Sequence, residues 1–175
     1  MAVAIDRFAA AMAEDLLGCL CEQLAATAGG GVCQCCLSPG PAPADFCCDC
    51  GQGHGQAWVR VVRIFPSASN FPAQAAGLQQ CALNSWGVEL EMGAWRCAHM
   101  PDDQGNPPSC AQVTTDTEVL LDDAAAMRRA LHCCFAPGRD YVPGEWTPRG
   151  PSGGCVGGAM TVVVQAYDCC PEETP

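Results

Sequence analysis

Lysine is missing altogether. All eight basic side chains are arginines, set against nineteen acids, for a formal charge of −11 over 175 residues. So few cations exclude a protein that holds nucleic acid by a broad basic face, because gripping phosphates takes a stripe of Lys and Arg. Long apolar runs are missing too, and none reaches the roughly 18–20 residues that a bilayer-spanning helix needs. Charged residues are scarce at 15%, yet apolar ones reach 49%, which excludes wholesale disorder. Cysteine is the reverse case: sixteen residues, more than a reduced cytosolic enzyme uses. The length suits a single domain, residues 1–175, with one core.

The opening residues carry Asp6, Arg7, Glu14, Asp15 and Glu22. An apolar export-signal core does not tolerate such charges, so the stretch is expected to be an amphipathic helix instead. At 100° per residue, Ile5, Phe8, Met12, Leu16, Cys19 and Leu20 share one face, with Cys21 well off it. The glycines at 29–31 are expected to end the helix. Residues 32–55 form a Cys/Pro/Gly-rich loop without hydrophobic period. Residues 58–65, WVRVVRIF, predict a strand buried mostly on both sides. Over 84–96, Trp86, Val88, Leu90, Met92 and Ala94 alternate with Gly87, Glu89, Glu91 and Gly93, predicting a strand with one buried and one wet face.

Thr115 and Glu118 fit a capping box opening a second helix, with Leu120, Ala124, Met127, Leu131 and Cys134 at helical spacing. Residues 141–158 predict a Gly/Pro loop with a short strand at Tyr141 and Val142, and 160–167 a final strand. The pattern is α+β: a small antiparallel or mixed sheet flanked by two helices, with long Cys/Gly/Pro-rich loops.

Catalytic signatures are sparse. His54, His99 and His132 lie in unlike segments, without a nucleophile elbow. His132 and Cys133, adjacent on a helix, do not face each other. Glu89 and Glu91, about 7 Å apart on one sheet face, fit surface carboxylates better than an acid/base pair. The GGCVGG run from Gly153 lacks the Lys-Ser/Thr of a phosphate loop and enters a strand, so it predicts a turn or bulge. The chain is therefore expected to be no enzyme.

Cys33 and Cys36 make one Cys-x2-Cys, and Cys47 and Cys50 a second, ten residues on. No cofactor is expected, although four thiolates at this spacing fit a tetrahedral zinc. Disulfides pinning a coreless loop fit as well, and so do thiols buried as small hydrophobes. Ten cysteines lie outside residues 33–50, so a single zinc leaves most of the count unexplained.

Several runs resemble segments of neck and tail-terminator proteins of long-tailed actinobacterial phages. They are GQAWVRVVRIFPS from Gly55 with Phe71-Pro72, VELEMGAWRC from Val88, DQGNPP from Asp103, AAAMRRA from Ala124 and GPSGGCVGG from Gly150. The resemblance covers residues 55–167. It implies a small α+β domain that assembles as a homo-hexameric ring, caps the tail tube, stops its polymerisation and joins it to the head. Implied partners are other copies of the chain, the major tail tube protein and a neck or head-completion protein. DNA would cross the lumen without specific binding, and no membrane is involved. A neck/tail-completion subunit one position nearer the head has a similar fold. The implied location is the virion, after assembly in the host cytoplasm, and the Cys-rich segment lies outside the family pattern. An acidic lumen suits DNA passage because it repels phosphate; Glu89 and Glu91 are candidates to line it. The loops 66–72, 98–114 and 138–156 are the expected contact elements.

Overall fold

The computed structural model describes residues 8–40, 48, 55–75, 85–135 and 138–167. Ile5, Cys47, Cys50, His54, Cys81, Cys169 and Cys170 lie outside the described residues. Helix α1 is Ala9–Ala25, and the expected stripe of Met12, Leu16 and Leu20 is buried, joined by Ala9, Ala13 and Leu24. The helix stops ahead of the three glycines. The Thr27 backbone N–H donates to the Leu24 carbonyl at 3.0 Å and closes its last turn. Gly29 and Gly30 have a different task, described below.

Helix α2, Cys110–Phe135, begins five residues before the expected cap at Thr115. The working capping box is Ser109 with Gln112. The Gln112 backbone N–H donates to Ser109 Oγ at 3.3 Å, and Gln112 Oε1 accepts from the Ser109 backbone N–H at 2.8 Å. Thr114, Thr115 and Thr117 instead donate to carbonyls one turn back, as interior threonines do. Ser109→Ala is expected to cost about 1 kcal/mol in urea unfolding, while Thr115→Ala stays near wild type.

Among the described residues, five strands form one mixed sheet in the order β1-β2-β3-β5-β4. They are β1 Gln34–Leu37, β2 Gln56–Pro66, β3 Ser85–Cys97, β4 Tyr141–Ser152 and β5 Cys155–Tyr167. Only β1 runs parallel to its neighbour, β2. Two of these strands replace expected loops. β1 rises within the Cys-rich segment, and β4 occupies most of 141–158. A β4–β5 hairpin turns at Gly153 and Gly154, whose φ values of 58° and 83° lie in the left-handed region that a tight two-residue turn needs. The turn expected in that glycine run is thus present, though Cys155 onward is already strand.

Both helices pack on one sheet face. The core joins their apolar stripes to Ala57, Val59, Val88, Leu90, Met92, Ala94, Met160, Val162, Val164 and Ala166. The result is the α+β arrangement read from the sequence. Among the described residues, no helix is long and apolar enough to cross a membrane.

Candidate assembly surface

The sheet face away from the helices departs most from expectation. Residues 87–96 of β3 are buried apart from the half-buried Glu89, so the predicted wet face is largely covered. The Trp58 and Trp95 rings stack at 5.8 Å, and a β-carbon at Gly93 would overlap the Trp58 ring. Beside them Glu91 is clamped by two arginines. Arg60 binds it through both ends of its fork, at 2.9 and 3.1 Å, and Arg149 reaches from β4 at 2.8 Å. Glu89 is similarly held by Arg63. The two candidate lumen carboxylates are therefore neutralised by neighbours rather than presented bare.

Burial works to raise the Glu91 pKa, but the Arg60 hydrogen bond outweighs it, with the charges of Arg149 and Arg60 and the nearby Trp58 indole. The net result lies below the ordinary value of 4.5. The unfolded chain thus binds this proton more readily, so the contribution to stability is complete above pH 4.5. It is lost as pH falls through the lower folded value. Glu91→Gln is expected to lower the melting temperature at pH 7 and to flatten its fall on acidification below pH 4.5. Thermal melts across that range check both.

β2 supplies the surface that sequence reading missed. β1 covers only residues 56–59 of its outer edge, and beyond that no described strand pairs with it. A register shift between Val61 and Arg63 interrupts its pairing with β3. Residues 61–64 are exposed, against the expectation of burial on both sides. Val61, Val62 and Ile64 are 38%, 37% and 45% exposed, and Leu37 at the end of β1 is 40% exposed. A groove of about 320 Å³ runs between this edge and the start of α1, lined by Ala9, Ala13, Leu37, Val59, Val61 and Ile64. Open main-chain groups beside apolar side chains are the two ingredients of strand addition. The opposite edge, β4, carries Pro143, Pro148 and Pro151, residues that blunt an edge because they lack an N–H donor. The sequence signal for the β2 edge is the apolar VVRI run, which reads equally as a central strand.

A buried polar node fixes the layers behind this surface. Arg96 on β3 binds Asp123 on α2 through two hydrogen bonds of 2.7 and 2.8 Å, both side chains at most 5% exposed. Arg96 Nη1 also donates to the carbonyls of Gly29 and Gly30, at 3.0 and 2.9 Å. Thr27 donates to Asp123 at 3.0 Å. One arginine thereby ties β3, α2 and the turn after α1.

Six of the eleven described cysteines are in disulfides. Cys21 is bonded to Cys35, joining α1 to β1, and Cys48 is bonded to Cys97 at the end of β3. Cys33 and Cys155 each belong to a further disulfide. Cys19, Cys36, Cys110, Cys133 and Cys134 are thiols. Of the four candidate zinc ligands, Cys33 is thus spent in a disulfide and Cys36 is an exposed thiol on β1; Cys47 and Cys50 lie outside the described residues. A disulfide sulfur is not a thiolate ligand, so the complete tetrad does not fit zinc in this oxidised state. No cluster of three or more His, Cys, Asp or Glu suited to a metal occurs among the described residues.

The two described histidines are each engaged locally. His99 Nδ1 lies 2.8 Å from Asp116, which also accepts the His99 backbone N–H at 3.0 Å. His132 Nδ1 lies 3.0 Å from the Tyr141 hydroxyl. The contact loops are shorter than expected: 98–114 ends in helix from residue 110, and 138–156 is mostly hairpin. Asp102 organises the remaining loop, accepting from the backbone N–H groups of Gln104 and Asn106 at 2.9 and 2.8 Å. Compared with known proteins, the chain matches no family model and no curated protein.

Proposed function

We propose that the chain is a structural ring subunit of a long-tailed phage neck, capping the tail tube and joining it to the head while DNA passes through. The observation that carries this reading is the open apolar edge of β2. A subunit that acted alone would keep Val61, Val62, Ile64 and Leu37 under cover, whereas a ring subunit buries them against its neighbour. The two sheet edges differ in character, and unlike surfaces meeting head to tail close into a ring when the rotation allows.

The acidic charge suits the same role. With Glu89 and Glu91 paired to arginines, the exposed acids Glu14, Asp15, Glu22 and Glu118 on the helices are the better source of a phosphate-repelling lumen. A particle built in a reducing cytoplasm and then released also accounts for disulfides. A completion subunit one position nearer the head is the neighbouring reading; it would form rings but leave tube polymerisation running. The alternative of a zinc-binding interaction module is weakened by the bonded state of Cys33.

Sedimentation equilibrium of the purified chain tests the proposal. A species of about six chain masses, favoured by concentration, is the expected result. A single-chain mass at every concentration would count against it.

A further inference from the structure

The two edges of the sheet carry unlike features at the same level. On the β2 side, Val61 and Ile64 line the apolar groove together with Ala9, Ala10 and Ala13 of α1. Across the sheet, Val61 pairs with Leu90, Leu90 with Val162 and Val162 with Pro143. A second rung runs from Ile64 through Val88 and Val164 to Tyr141. Pro143 and Tyr141 in turn wall a notch of about 130 Å³ between β4 and α2, with Arg128, Leu131, His132 and Met160. Groove and notch therefore end the same two rungs, on opposite sides of the molecule.

The notch carries the donors that a carboxylate needs. Arg128 and His132 are exposed and stand one turn apart on α2, so they are neighbours on its surface. The Tyr141 hydroxyl lies 3.0 Å from His132 Nδ1. Among the described residues, neither the Arg128 guanidinium nor the other His132 ring nitrogen has a hydrogen-bond partner. The matching anion stands at the groove, where the exposed Glu14 follows Ala13 and lies one turn on from Ala10. We propose that the notch is the receiving half of the subunit joint, where the Glu14 carboxylate of a second copy of this chain seats on Arg128 and His132. This site presupposes the proposed ring and gives its second surface. Pro143, exposed at the same edge, offers apolar cover for Val61 and Ile64. The prolines of β4 leave its edge few N–H groups, so it meets its neighbour through side chains. Because both halves end the same rungs, joining them turns one copy relative to the next without a shift along the strands. That is the condition for a closed ring rather than an open helix.

A charge swap in the full-length chain, read by sedimentation equilibrium in low salt, tests the contact. Glu14→Arg and Arg128→Glu should each lower the association constant by roughly 10-fold or more per joint, as breaking a close charge pair does. The double variant restores an ion pair at every joint and should return to within about threefold of wild type. Net charge alone predicts otherwise for Glu14→Arg, which relieves repulsion in a chain at −11 and would strengthen association. Glu118→Arg, the same change away from both halves, should leave assembly unimpaired. Wild-type association that neither reversal weakens, or a double variant no better than the singles, would overturn the contact and leave the ring standing. A wild-type chain that never associates would overturn both. Circular dichroism verifies the fold of each variant. Where a reversal unfolds the chain, Glu14→Gln, Arg128→Gln and their double form a cycle whose losses should be less than additive, and additive losses would overturn the contact.

Discussion

Asp123→Ala is expected to destabilise the protein by about 3–5 kcal/mol, because it leaves the Arg96 guanidinium buried without its counter-charge. A domain of this size holds only about 5–15 kcal/mol in total, so the variant should lose a large part of its stability. The damage should be widespread. Arg96 also gathers the carbonyls of Gly29 and Gly30, and Thr27 donates to Asp123, so β3, α2 and the end of α1 all lose a tie. Replacing both partners by apolar residues of similar size, Arg96→Met with Asp123→Leu, should recover much of the loss, since no stranded charge remains. Urea unfolding of the three proteins measures this directly. A single Asp123→Ala variant within about 0.5 kcal/mol of wild type, the range of ordinary surface changes, would show that the node does not hold the layers.

Ile64→Lys is expected to abolish assembly while leaving the fold in place. Ile64 is 45% exposed, so lysine there should change monomer stability by no more than about 0.5 kcal/mol. In a subunit contact the same lysine would bury a charge against an apolar groove and guard the edge as natural edge lysines do. A loss of about 2 kcal/mol per contact, roughly 30-fold in affinity, recurs at every joint of a closed ring and should shift the population to single chains. Light scattering coupled to size-exclusion chromatography reads the mass, and circular dichroism verifies the fold. A ring population equal to wild type would remove the β2 edge from the contact.

The parts of the fold that sequence made legible are those governed by local period. The stripe of Met12, Leu16 and Leu20 marks α1, and the apolar run before Tyr167 marks β5. The start of α2 was hidden because Thr115 and Glu118 have the spacing of a capping box, while the working pair, Ser109 and Gln112, follows two prolines. β4 was hidden by Pro143, Pro148 and Pro151, which read as loop although an edge strand tolerates them. The candidate surface was less legible still. Whether VVRI is a core strand or an open edge depends on how far β1 extends beside it, and no period in β2 encodes that. The clamping of Glu91 by Arg149 spans β5 between them, a contact set by strand order rather than by neighbours in the chain. The Cys-x2-Cys spacing allowed zinc and disulfides equally, and only the structure places Cys33 in a disulfide.

Negative-stain electron microscopy of the concentrated purified protein, alone and with tail tubes, shows whether the chain closes into a ring. Annular particles with an open centre are expected, seated at tube ends when tubes are present. Single globular particles in both samples, with tube ends bare, would contradict ring closure.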